Sequence, residues 1–146
     1  MHDLLAKAPV TFTKTVSESD VYLFAGITGD FSPNHVDDAA MRRTSYGQRI
    51  AHGALMIGYM STASTRAIEQ GLALASQANP VSLGYDRVRF LKAVFFGDTI
   101  TVKYTLKLVD EERMRSEASV EVRNQKDELV AVATHIMKWV PNTAPM

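Results

Sequence analysis

Asp30 and His35 are the residues of this 146-residue chain whose types and spacing best suit acid–base chemistry. They sit in Thr28-Gly29-Asp30-Phe31-Ser32-Pro33-Asn34-His35, with Pro33 between them forbidding a continuous helix. A carboxylate beside a neutral imidazole can hold a water molecule and take a proton from it. Alone, such an Asp and His more often serve as a helix cap and a surface loop residue. Their context favours chemistry, because Ile50-Ala51-His52-Gly53 follows and puts a glycine where a long helix begins. The amide at a helix N-terminus lacks an intrahelical acceptor, and without a Cβ a ligand oxygen can approach it closely. Together these groups could activate a carbonyl compound and stabilise the oxyanion that develops.

Other polar residues read more conservatively. His52 is more often a packing residue or a support for the reacting groups than a reactant. Ser61, about two turns along the same helix, either hydrogen-bonds the Asp–His pair or satisfies a buried backbone group. His135 shares the face of Ala131, Ala133 and Met137 in the last strand and reads as a satisfied core or dimer-contact histidine. His35 and His52 have no carboxylate in helical register, so no metal site is expected. Phosphate-cradling glycine loops and Gly-x-Ser-x-Gly elbows are missing from the sequence.

Composition narrows the classes further. Sixteen basic residues balance sixteen acidic ones, so the charge gives no reason to expect nucleic acid or a membrane surface as partner. There is no cysteine, which excludes disulfides, thiol nucleophiles and thiolate metal sites. The N-terminal residues show no secretory pattern, and the uncharged runs fall short of the roughly 20 residues of a membrane span. A cytoplasmic protein is expected, with one domain over residues 1–146 and a core from about residue 10 to 140.

The elements that must position these residues follow from periodicity. Val10 to Val16 is a short strand. Ser17 to Asp20 offers caps for a helix through Val21, Leu23, Phe24 and Ile27, and Asp30 to His35 must be loop. Val36 to Arg43 could hold a short helix. Ala51 to Glu69 is the long helix, its small residues Gly53, Ala54, Gly58, Ser61 and Ser64 implying close neighbours on several sides, with Gly71 as its cap. Leu72 to Pro80 is an irregular connection. Period-two patterns then mark strands over Val81–Val94, Ile100–Leu108, Ser116–Arg123 and Glu128–Val140, and the breaks between them read as turns of an antiparallel meander. Pro141 to Met146 reads as a loose tail. The result is an α+β domain in which a curved antiparallel sheet wraps a central helix.

These motifs resemble the MaoC-like (R)-specific enoyl-CoA hydratase family, which has the hot-dog fold. Phe24, Thr28-Gly29-Asp30, Pro33, His35 and Asp37 stand where that family has its aromatic residue, Gly-Asp-x-Asn-Pro-aliphatic-His and following acid. Ile50 to Gly53 resembles its His-Gly element, and Phe90 to Asp98 its Phe-x-x-Pro-Val-x-x-Gly-Asp turn. The resemblance implies reversible syn hydration of a trans-2-enoyl-CoA to a (3R)-3-hydroxyacyl-CoA. It assigns Asp30 and His35 to a water-holding dyad, Gly53 to the thioester oxygen, and Ser61 to support of the dyad. Ser32, Asn34, His52 and Ser61 are the candidate substrate-binding positions. The family needs no metal or redox cofactor, and the expected partners are an acyl-CoA and a second copy in a homodimer. Ser32, Asn34 and Ala93 depart from the family's Asn, aliphatic residue and Pro. The competing readings are a non-catalytic acyl-CoA-binding or partner subunit of a larger hydratase and, further off, a hot-dog thioesterase, which usually carries a carboxylate on the long helix; Ala51 to Thr65 contains none.

Overall fold

The structure, a computed structural model, describes residues 8–70 and 78–142. The elements in order are β1 (Val10–Thr15), α1 (Glu18–Thr28), α2 (Pro33–Val36), α3 (Asp38–Met41), α4 (Gly53–Gln70), β2 (Ala78–Phe90), β3 (Thr99–Asp110), β4 (Arg115–Arg123) and β5 (Leu129–Pro141). The strands form one antiparallel sheet in the order β1-β3-β4-β5-β2.

The core lies between α4 and the sheet. Met56, Tyr59, Met60, Ala63 and Ser64 recur every three or four residues and form the buried face of α4. Opposite them lie Ile100, Val102 and Tyr104 of β3, Ala118, Val120 and Val122 of β4, and Val130, Ala131 and Ala133 of β5. In β4 every second residue is buried, as period-two patterning requires of a strand with one face on the core. His135 belongs to this core. Its Nε2 lies 2.8 Å from the Ser82 hydroxyl and its Nδ1 2.8 Å from the Tyr104 hydroxyl, and its ring stacks on Tyr85 at 4.3 Å.

Several sequence expectations are corrected here. The meander holds only for β3, β4 and β5; β2 pairs with β5 rather than with β3, its sequence neighbour. The Gly97-Asp98 break is a reversal, but the connection carrying it crosses the sheet. The Leu91 N–H donates to the Val130 carbonyl of β5 on one side of the sheet, and on the β1 side the Val16 N–H donates to the Asp98 carbonyl and the Gly97 N–H to the Val16 carbonyl. Strand β2 also begins at Ala78, inside the stretch read as irregular, and contains Pro80. A missing N–H is tolerated there because β2 is an edge strand. Strand β5 reaches Pro141, where a tail was expected. Asp30 to His35 is not wholly loop: Pro33 opens α2 at a first-turn position, where proline's fixed φ suits a helix and its missing N–H costs nothing. The short helix after it is α3, capped by the Asp37 carboxylate on the Ala40 N–H. On α4, Ala54 and Gly58 are exposed, where close neighbours were expected. Gly71 and Leu72 lie outside the described residues.

Candidate active site

Asp30 is delivered by the end of α1. Ser17 starts that helix with a reciprocal cap: its hydroxyl accepts from the Asp20 N–H at 3.1 Å, and the Asp20 carboxylate accepts from the Ser17 N–H at 2.9 Å. Gly29 stops the helix in the left-handed conformation at φ +82°, which a side chain would strain. The chain emerges with the Asp30 carboxylate half-exposed, one of its oxygens accepting from the Ser32 N–H at 3.2 Å.

His35 comes from α2 and is buried. Its Nδ1 lies 2.7 Å from the Ile50 carbonyl oxygen. A carbonyl only accepts, so Nδ1 carries the hydrogen and Nε2 presents a lone pair. Ile50 is tied to α2 a second time, because its N–H donates to the Asn34 carbonyl at 2.9 Å. That link, rather than local helix propensity, sets how α2 lies against the start of α4.

His52 immediately precedes α4 and is almost wholly buried. Its ring stacks on His35, with centroids 3.7 Å apart and planes 26° apart, and is flanked by Phe24 at 4.6 Å. Its Nε2 lies 3.0 Å from the Asp30 carbonyl oxygen and 4.0 Å from the carboxylate Oδ2. The fold thus gathers Asp30, His35 and His52, one donor atom from each lying within 4.8 Å of the others, a cluster that no helical register in the sequence shows.

Gly53 is the first residue of α4, and its N–H bonds to no acceptor among the described residues. A Cβ there would lie 2.7 Å from ring carbons of Phe90, so glycine is needed both for access to the amide and for this contact. His35, His52, Gly53, Met56, Phe90 and Lys92 are among the residues around a cavity of about 270 Å³. It shares Tyr46, Leu91, Lys92 and Ala93 with a second cleft that runs out to Lys126.

The remaining sequence-predicted residues separate. Ser32 approaches Asp30 through its backbone N–H, while its hydroxyl makes no capping bond. The Asn34 side chain is exposed. Ser61 is not brought to Asp30 and His35; its carbonyl accepts from Ser64 and Thr65, and its hydroxyl faces Tyr85 without closing a hydrogen bond. Burial raises the Tyr85 pKa, and Ser61 offsets part of that rise. Sequence reasoning did not single out Ile50 or Phe90 for the site. Ile50 acts through its carbonyl, which leaves no side-chain signal, and Phe90 looks like any apolar strand residue.

Residues 4–130 match the family model described as the MaoC like domain. The chain belongs to the MaoC-like family. It is 34% identical over 105 residues to the (R)-specific enoyl-CoA hydratase of Rhodospirillum rubrum, a match covering 71% of this chain and 67% of that protein. It is 36% identical over 104 residues to the 3-hydroxybutyryl-CoA dehydratase of Methylorubrum extorquens, covering 70% of this chain and 60% of the relative. Among solved structures, the (R)-hydratase of A. caviae involved in PHA biosynthesis superposes with a TM-score of 0.76 at 23% identity, over 90% of this chain and 93% of that one. The MaoC-like chain therefore has the hot-dog fold. No helix among its described residues is long and apolar enough to cross a membrane.

Proposed function

We propose that this MaoC-like protein is a hydro-lyase that adds water to a trans-2-enoyl-CoA to give a (3R)-3-hydroxyacyl-CoA, and reverses that reaction. The observation that carries the reading is the gathering of Asp30 and His35, a donor atom of each lying within 4.8 Å of the other, beside a cavity lined by His35 and by Gly53, whose N–H has no acceptor among the described residues. A water held by Asp30 and His35 gives up a proton as its oxygen adds to C3. The dyad returns that proton to C2 on the same face, so the addition is syn and the atoms balance. Charge moves onto the thioester oxygen during addition, where the Gly53 N–H donates to it at the positive end of α4.

The second cleft, continuous with the first through Lys92, provides length for a ligand much longer than its reacting acyl group. The relatives named for enoyl-CoA and 3-hydroxybutyryl-CoA chemistry support a CoA thioester as the substrate class. The protein acts as a homodimer in this account, joined along the outer edge of β2, where Val81, Leu83 and Phe90 are exposed. Loss of the enoyl-thioester absorbance on mixing with crotonyl-CoA tests the reaction.

A further inference from the structure

The proposed reaction assigns work to Asp30, His35 and Gly53 but none to His52, the most buried of the polar groups around the cleft. We infer that His52 is the positioning residue of the site: it fixes the Asp30 backbone and the His35 ring plane relative to each other and to the start of α4. The inference rests on the hydratase reading for its kinetic consequence and on geometry alone for its structural one.

Three contacts carry it. The carbonyl oxygen of Asp30 accepts from His52 Nε2 at 3.0 Å, which makes Nε2 the protonated nitrogen and pins the backbone that carries the carboxylate. The His52 ring stacks on His35 at 3.7 Å, so His35 cannot turn about its Nδ1–Ile50 hydrogen bond without sliding across His52. Phe24 closes on His52 at 4.6 Å, so His52 is itself held. These contacts fix the direction of the His35 Nε2 lone pair. The peptide joining His52 to Gly53 places the proposed thioester donor on the same support. His52 Nδ1 is buried with no partner among the described residues. A histidine kept only for packing gains nothing from that orphaned lone pair, since phenylalanine fills a similar space without it. What histidine adds over phenylalanine is the Nε2–H bond to Asp30.

The test compares the wild type with His52→Phe, which keeps the stack and removes the donor, and His52→Gln, whose amide restores a donor without an aromatic ring. Thermal melting first establishes that each variant folds. With crotonyl-CoA, His52→Phe should lower kcat on the order of 10- to 100-fold while KM stays within about threefold, the pattern of a misplaced catalytic group. His52→Gln should recover part of kcat. A raised KM with unchanged kcat would make His52 a substrate contact and overturn the inference. The second readout is the nitrogen NMR of the imidazoles. In the wild type His35 should be protonated at Nδ1 and His52 at Nε2, and His52→Gln should shift the His35 ring nitrogens because the stack is gone. Unmoved His35 signals in that variant would overturn the inference. A wild type without hydratase activity would defeat the reaction proposed above, and the nitrogen spectra would still decide the role of His52.

Discussion

At the scale of single residues, the site depends on groups whose hydrogen-bond partners set their chemistry. His35 presents a lone pair at Nε2 because its Nδ1–H donates to the Ile50 carbonyl. Gly53 illustrates a steric requirement: a methyl group there would meet the Phe90 ring at 2.7 Å, so Phe90 must swing away. Gly53→Ala should cost about 1 kcal/mol of stability, at the low end for overpacking because Phe90 is half-exposed. Urea unfolding of Gly53→Ala, Phe90→Ala and the double variant checks this, with the Gly53→Ala cost vanishing when Phe90 is already truncated. His135 makes the opposite use of an imidazole. Burial pushes its pKa down to about 4, well below the ordinary imidazole value of about 6.5. Between those values the unfolded chain binds more protons, so stability is full above about pH 6.5 and falls as pH drops toward 4, by about 3 kcal/mol in all. Urea midpoints at pH 7 and 4.5 should show this loss in the wild type and less of it in His135→Gln. An equal acid loss in both would contradict the assignment.

At the scale of elements, α1 and the start of α4 do the positioning. The reciprocal cap at Ser17 fixes where α1 starts, and the left-handed Gly29 fixes where it releases Asp30. Ser17→Ala should therefore destabilise the fold by about 1 kcal/mol, read from the urea midpoint. This cap was legible in Ser17-Glu18-Ser19-Asp20, and the long helix and the alternating strands were legible from their periods, because burial on one face imposes those periods directly. The partner of β2 was not. Gly97-Asp98 encodes a change of direction, and nothing in it says which edge the chain will join. Pro33 was read only as a breaker, although the same fixed φ suits a helix's first turn. In the site, Asp30, His35 and Gly53 stood out in the sequence by type and spacing, and the structure brings Asp30 and His35 together and puts Gly53 at the first position of α4. The place of Ser61 was not, since a helical period gives its face on α4 but not that Tyr85 lies opposite.

At the scale of the whole molecule, the sheet ends in two unequal edges. Strand β1 is six residues long, while β2 is thirteen and carries half-exposed Val81 and Leu83. A long apolar edge is a pairing surface, and burying it against a second copy also covers apolar area. Light scattering at micromolar concentration should give the mass of a dimer, and Leu83→Lys should shift it toward the monomer; a wild-type monomer would contradict this arrangement. The hydration account itself is tested most directly by following the enoyl-thioester absorbance of crotonyl-CoA with the wild type, Asp30→Asn and His35→Ala side by side. The account predicts turnover by the wild type and a loss of at least about 100-fold in each variant, the contribution of a positioned acid or base. Folded wild-type protein that leaves the absorbance unchanged, or variants that turn over as fast as the wild type, would contradict it.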